Sequence, residues 1–491
     1  MPLIPLTLPP GVYRNGTDLQ SSDRWRDASL VRWVDGTMRP IGGWKDRDTM
    51  DTVAPRALLV WSDLSNDARI ATGSYNKLAV ANASGIVTDI TPADLTDGTL
   101  DAEINTGFGG GAFGLGYYGT ERISQGSYAE ATTWSLDNWG ENLVACSTAD
   151  GRLLEWDLNT SNDATAISSA PTDNVALIVT EERFLFALGA GGNPRKVQWC
   201  DREDSTTWTA AATNEAGDLE LATPGQIMCG IRTRGQSLIL TDLDAHSATY
   251  IGGQFVYSFQ RVGSSCGVTS RKAAAAVDPG VFWMGQRGFF MYSGGAVQEL
   301  PCEVSDYVFN DINRAQISKV FAVPNQQFSE IWWFYPSGGS NENDRYVAFN
   351  YAENHWTIGA MSRTAGADRG VFRRPIWVDA SGVTYNHETG LNYDGADVFA
   401  ETGPMSAGNG DQVIKATQLI PDEKTQGDVQ AVFKTRFYPN DTEREYGPYT
   451  MSNPTDVRFT GRQIRMRVEG ARLADWRVGN MRLEATTGGR R

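Results

Sequence analysis

The side chains able to do chemistry are few, and their spacing is unhelpful to it. The 491-residue chain holds three histidines, His246, His355 and His387, none in an HExxH or His-x-His arrangement. A zinc site needs such spacing on one element, and a His-based triad needs an oriented partner and a nucleophile in a recognisable setting. Neither is expected, and His355, directly before Trp356, reads as a strand-edge residue. Five cysteines (Cys146, Cys200, Cys229, Cys266, Cys302) are odd in number and lack CxxC spacing, so they read as small buried hydrophobes in a reducing compartment.

Two further patterns touch on catalysis or cofactors. Asp201-Arg-Glu-Asp-Ser-Thr-Thr-Trp208 is faintly similar to the Asp-box of sialidases, but the glycine of that box is missing and such turns are structural. Propeller glycosidases work with paired carboxylates, and among 59 acidic residues such pairs arise by chance. The run GFGGGAFGLGYYG (107–119) contains GxGxxG at Gly109, Gly111 and Gly114. It follows no strand of a βαβ unit, opens no helix, and has no Lys-Ser/Thr to complete a phosphate loop. It reads as a long loop tipped by Phe113, Tyr117 and Tyr118, either plain surface or a partner contact. No catalytic, cofactor-binding or metal-ligating residue is assigned, and no cofactor is expected.

The elements around these residues are strands. From residue 57 a rhythm of short apolar runs sets in: ALLVW, ARIATG, KLAVAN and GIVTDI, parted by Ser, Asn, Asp and Gly. Four strands in about 35 residues make a sheet the size of one propeller blade. The rhythm returns at 142–158, 175–201, 227–253, 280–300 and 330–359, with a last pair at 375–390 and a short helix expected over 305–316. Within it a pattern recurs: Trp33-Val-Asp35, Trp61-Ser-Asp63, Trp199-Cys-Asp201, Trp377-Val-Asp379, and Trp156-Asp157 in shorter form. An aromatic ends a strand and an Asp starts the turn, where its carboxylate can accept backbone N–H groups. The expected fold is all-β: a β-propeller of at least six units over 51–400, five to eight blades all being compatible. An extended N-terminal arm (1–50) should precede it. The two chain ends should form a β-rich platform, with a small sandwich over 401–491. There, Ile464, Met466 and Val468 alternate with Arg465, Arg467 and Glu469, as in a half-buried strand.

Bulk composition fits a folded, soluble protein: 41% hydrophobic, 21% charged, 15 tryptophans, and no run near the roughly 20 apolar residues of a membrane helix. The apolar N-terminus is broken by prolines and has no basic region, unlike a secretory signal, which points to a protein made and used in a cytoplasm. The net charge of −16 argues against a general polyanion-binding surface. From 428 to 491 there are 12 Lys and Arg against 8 Asp and Glu, so this tail carries +4 and the preceding 427 residues −20. Arg458, Arg462, Arg465, Arg467, Arg472 and Arg477, with Arg482, are therefore the candidate interface residues, a basic docking face on an acidic body. The competing reading is a solvated strand face.

The order of parts resembles the nozzle, or tail hub, proteins of short-tailed bacteriophages. The similarity rests on the arm strand ending in Asp35-Gly36, the Gly/Tyr-rich loop, TTWSLDNWGENLVAC (132–146) with DGRLLEWD (150–157), VFWMGQRGFFMYSGG (281–295), EIWWFYPSGG (330–339) and VRFTGRQIRMRVEG with RLE (457–484). It covers most of the chain as loose patterns. It implies a virion protein made in the bacterial cytoplasm, a homohexamer below the portal and adaptor rings. That ring would extend the DNA ejection channel and neighbour tail fibres or a tailspike. Family knowledge supplies no catalytic residues. Six copies at −16 would carry about −96, an acidic wall along which viral DNA slides without specific binding. Two alternatives stand: a propeller tail enzyme or binder acting on host glycans, and a propeller scaffold with no viral connection.

Overall fold

Short runs in which apolar and polar residues alternate, each followed by a turn residue, become antiparallel strands, because alternate side chains then share one buried face. In the computed structural model, which describes residues 3–104, 128–406, 410–424 and 426–489, these strands group into seven four-stranded sheets. The first runs Ala57–Ser62, Ala68–Gly73, Leu78–Asn82, Val87–Asp89. The innermost strands of the next five are Trp134–Trp139, Ala176–Val179, Ile227–Thr233, Ala274–Val277 and Phe321–Asn325. The seventh sheet is composite: Ala365–Ala367, Ile376–Val378 and Val383–His387 are completed by Trp44–Thr49 from the other end of the chain. Each innermost strand packs beside the next, and Ala365–Ala367 returns to Ala57–Ser62, so the ring closes. The protein is a seven-bladed β-propeller.

Tryptophans join the blades. Trp134 of the second blade donates its Nε1–H to Ser74 O of the first, and Trp61 of the first donates to Glu141 O of the second. Trp283 reaches Cys266 O and Trp333 reaches Ala273 O in the same manner, each from a buried ring. Gly73 makes room for Trp134, since a Cβ there would lie 2.4 Å from the indole Cγ. At Trp61-Ser-Asp63 and Trp377-Val-Asp379 the Asp caps the turn as expected. Asp63 Oδ1 accepts from the N–H of Ser65 and Asp67, and Asp379 Oδ1 from Ser381 and Val383. Asp35-Gly36 has φ of 50° and 74° and joins Val31–Val34 to Thr37–Pro40 in a two-residue hairpin, a turn that needs positive φ at both positions.

The chain ends build a second body, a sandwich of two sheets. One orders Leu3–Leu6, Met481–Thr487, Ile414–Ile420, Thr455–Gly461; the other orders Trp25–Ser29, Phe399–Thr402, Gln463–Gly470, Val429–Arg436, Arg444–Thr450. Phe433 stacks on Phe459 between them at 4.5 Å, among buried Val457, Met466, Val468 and Leu483. The sandwich sits against the outer strand of the sixth blade, His355–Ala360, where Val12 N–H donates to Trp356 O. At this junction Arg32, 2% exposed, is held by Glu330 at 2.9 Å and Glu388 at 2.6 Å over the face of Phe328.

Two boundaries differ from the sequence reading. Residues 44–49, placed there in the arm, are the outer strand of the seventh blade. The helix expected over 305–316 is an α-helix at Ser305–Asp311 followed by a 3-10 helix at Arg314–Lys319. The Gly/Tyr-rich run with Phe113, Tyr117 and Tyr118 lies outside the described residues.

Trp44 anchors the closing strand. It is 7% exposed, packs against His387 and Tyr393, and donates Nε1–H to Asp394 at 2.6 Å. Trp44→Ala should cost about 3–5 kcal/mol, read as a lower denaturation midpoint, with amides of 376–387 losing hydrogen-exchange protection before those of the other blades. Uniform loss across all blades would contradict this account of the closure.

Candidate functional site

Charged groups border a cavity and a depression beside the innermost strands of the ring. A cavity of about 110 Å³ is lined by Thr133, Ser135, Cys229, Arg271, Lys272 and small residues at the starts of the innermost strands of blades two to five. Arg271 makes only long bonds, from Nη1 to Ile227 O and Met228 O at 3.3 and 3.4 Å and from Nη2 to Glu130 at 3.4 Å. Its buried Nε has no hydrogen-bond partner among the described residues. Burial pushes the Lys272 ammonium down to about 8, against the opposing pull of Cys229 and Asp137. Asp137 itself is committed elsewhere. Its two oxygens accept from Arg232 at 2.7 Å and from Val179 N–H at 2.9 Å.

Arg232 also borders an open depression of about 540 Å³, formed by hairpin tips of blades three to six with Glu181, Arg234, Asp278 and Gln326. Around the connections on the opposite side, Lys319 is tied to Asp101 and, at 3.0 Å, to Glu342, which also takes Arg56 at 2.6 Å. Gln316 brackets Ala102, accepting its N–H and donating to its C=O, and Ser318 accepts from Ala131 N–H. The strand pair Glu103–Ile104 and Tyr128–Ala129 is thereby fixed to the connection between the fifth and sixth blades. None of these residues was singled out from the sequence. The available signal was Arg271-Lys272 placed directly before the apolar run AAAAV, which puts two cations at the start of an innermost strand.

The candidate interface arginines divide into two groups. Arg458, Arg472 and Arg482 are exposed. Arg465 is not a free docking group: its side chain is 18% exposed and bridges Asp18 at 2.5 Å, Glu443 at 3.2 Å and Glu401 at 3.5 Å. Arg467 lies flat on Phe399, 3.5 Å from the ring centre, and pairs with Glu469 and Asp397. Arg462 stands over Tyr438, and Arg477 pairs with Asp475. Arg465 and Arg467 therefore already serve ion pairs within the chain, and neither stands free on a docking face.

The remaining reactive residues are built into blades. Asp204 accepts from Thr206 and Thr207 while Trp208 donates to Ser205 O, so the Asp-box-like segment is a closed turn between two strands. Asp244 Oδ1 gathers Thr223, Thr241 and His246 in one buried clip. His355 is buried at the start of its strand, beside Trp33. His387 lies 4.0 Å from Trp377 and accepts Arg363 Nε–H at 2.9 Å. Cys146, Cys200, Cys229 and Cys266 are buried and Cys302 is half-buried, all as free thiols. Among the described residues no three His, Cys, Asp or Glu side chains are grouped to hold a metal ion, and no helix is long and apolar enough to cross a membrane.

No family model matches the chain, and no curated protein matches it in sequence. Among solved structures it is similar to virginiamycin B lyase from Staphylococcus aureus, at 6% identity over 70% of this chain and 98% of that one, with a TM-score of 0.46. It is also similar to BamB from Moraxella catarrhalis (9% identity, 73% and 92% covered, TM-score 0.38) and YCF48 from Cyanidioschyzon merolae (7%, 70% and 98%, 0.41). The propeller assignment stands on the closed ring of sheets described above.

Two outcomes follow for the charged residues. Arg465→Glu sets a carboxylate against three others and should cost roughly 2–4 kcal/mol in chemical denaturation, whereas Arg472→Glu should change stability by no more than about 0.5 kcal/mol. Equal effects would contradict the division made here. Burial and the Arg363 cation hold the His387 imidazole well below its usual range. Below about pH 6.5 the unfolded chain therefore takes up a proton that the folded chain refuses. Stability should fall as pH drops through that value, by up to about 1.4 kcal/mol per pH unit from this group, and His387→Gln should flatten the dependence in urea melts at pH 7.5 and 5.5.

Proposed function

We propose that this chain is a non-enzymatic structural subunit of a bacteriophage tail nozzle, a ring of six copies that extends the DNA ejection channel below the portal and adaptor. The observation that supports this most is the division of charge along the chain. Residues 1–427, which include all seven blades and the remaining strands of the sandwich, carry −20, and the stretch 428–491, which supplies five strands of the sandwich, carries +4. Exposed Arg458, Arg472 and Arg482 then offer the sandwich an electrostatic grip on an acidic neighbouring ring.

The cavity beside the innermost strands is not the route for DNA in this reading. A duplex whose major groove alone is about 12 Å wide does not fit a 110 Å³ cavity bordered by tightly packed innermost strands. The channel belongs to the lumen of the assembled ring, and the acidic propeller walls repel the phosphate backbone so that the genome slides. Tail fibres or a tailspike are the expected outer neighbours.

Electron microscopy of the purified protein and of virions tests the proposal, with a six-fold ring around an open lumen as the expected result. A monomer at every concentration, absent from tails, would overturn it. Changing Arg458, Arg472 and Arg482 together to Glu should abolish incorporation into tails while leaving the melting temperature of the isolated chain unchanged. Normal incorporation would sink the docking role of the sandwich.

A further inference from the structure

The cavity beside the innermost strands holds an imbalance of charge. Among the described residues, half-buried Lys272 makes no ion pair with a carboxylate, while Arg271 beside it keeps a buried Nε without a hydrogen bond. The acids nearby do not compensate. Asp137 is spent on Arg232 and Val179, and Glu130 meets Arg271 at the long distance of 3.4 Å. Asp137 pairs with Arg232, whose side chain is 42% exposed, and Glu130 pairs with Arg271, so Lys272 is left as one positive charge without a counter-charge.

A cation partly withdrawn from water without a counter-charge is costly, and the remedy is a partner that brings charge and acceptors together. The walls contribute Thr133 and Ser135 as further polar groups. The volume, about 110 Å³, admits one compact oxyanion and is small for a sugar acid or nucleotide.

We infer that this cavity is a binding site for one small inorganic anion, of phosphate or sulfate size, held between Lys272 Nζ and the Arg271 guanidinium. The ligand would touch blades two, three, four and five at once, because the lining comes from Thr133–Ser135, Val175–Ala176, Cys229–Ile231 and Arg271–Ala274. It acts as a rivet between those blades, stabilising the native state in proportion to its occupancy.

The test compares thermal melts in sodium phosphate and in sodium gluconate, large for the cavity, at matched ionic strength. Wild type should gain several degrees in phosphate along a saturable curve. Lys272→Met and Lys272→Gln, two neutral replacements of similar length, should lose the saturable part and keep only the general salting effect. The 31P line of phosphate should broaden with wild type and sharpen again when sulfate is added, a readout that needs no variant. An equal phosphate response in wild type and both variants, or an unbroadened 31P line, would overturn the assignment.

Discussion

The pairing of Trp44–Thr49 with Val383–His387 is the constraint on which the rest of the molecule depends. Six of the seven sheets are continuous in sequence, and without this strand the seventh would leave a gap in the ring and an open edge. Closing it fixes the position of every innermost strand, and so creates the cavity beside them. It also fixes the direction in which the chain enters and leaves the propeller. Residues before 44 and after 387 emerge at the seventh blade, so a sandwich made of both ends has to lie beside it and the sixth.

Blades were legible in the sequence where strand, turn and aromatic coincide. ALLVW followed by Ser62-Asp63 announces a strand and its turn within seven residues, and Asp63 performs the capping that its position implies. The closing strand WKDRDT carried no such signal. It is an outermost strand with mostly solvent-facing positions, so no apolar alternation marks it, and only the partner strand more than 330 residues later gives it a place. Arg444–Thr450 in the sandwich escaped for the same reason. Interface residues were less legible still. Alternation correctly put Arg465 on the face opposite Ile464 and Met466, yet Asp18, Glu401 and Glu443 cover that face, and nothing local announces acids so remote.

Charge has two separate uses in this protein. Inside, Arg32 with Glu330 and Glu388, and Lys319 with Asp101, Glu342 and Arg56, bind segments far apart in sequence. Pairs of this kind contribute little net stability once desolvation is counted, but a wrong register would leave each charge buried and alone. They act as checks on which strand meets which. Outside, the surplus of acid and the few exposed arginines on the sandwich concern neighbours rather than the fold.

Pairing Leu3–Leu6 with Met481–Thr487 has a consequence for biosynthesis. At about 5–20 residues per second on the ribosome, the first strand waits on the order of half a minute or longer for its partner. Throughout that time the propeller blades can form in succession, but the sandwich cannot. Leu3 and Ile4, 45% and 36% exposed even when paired, are then an apolar strand without a mate, open to the same segment on a neighbouring ribosome. An interrupted chain would therefore carry blades but no complete sandwich, and would be marked as incomplete by the absence of the surface needed for assembly.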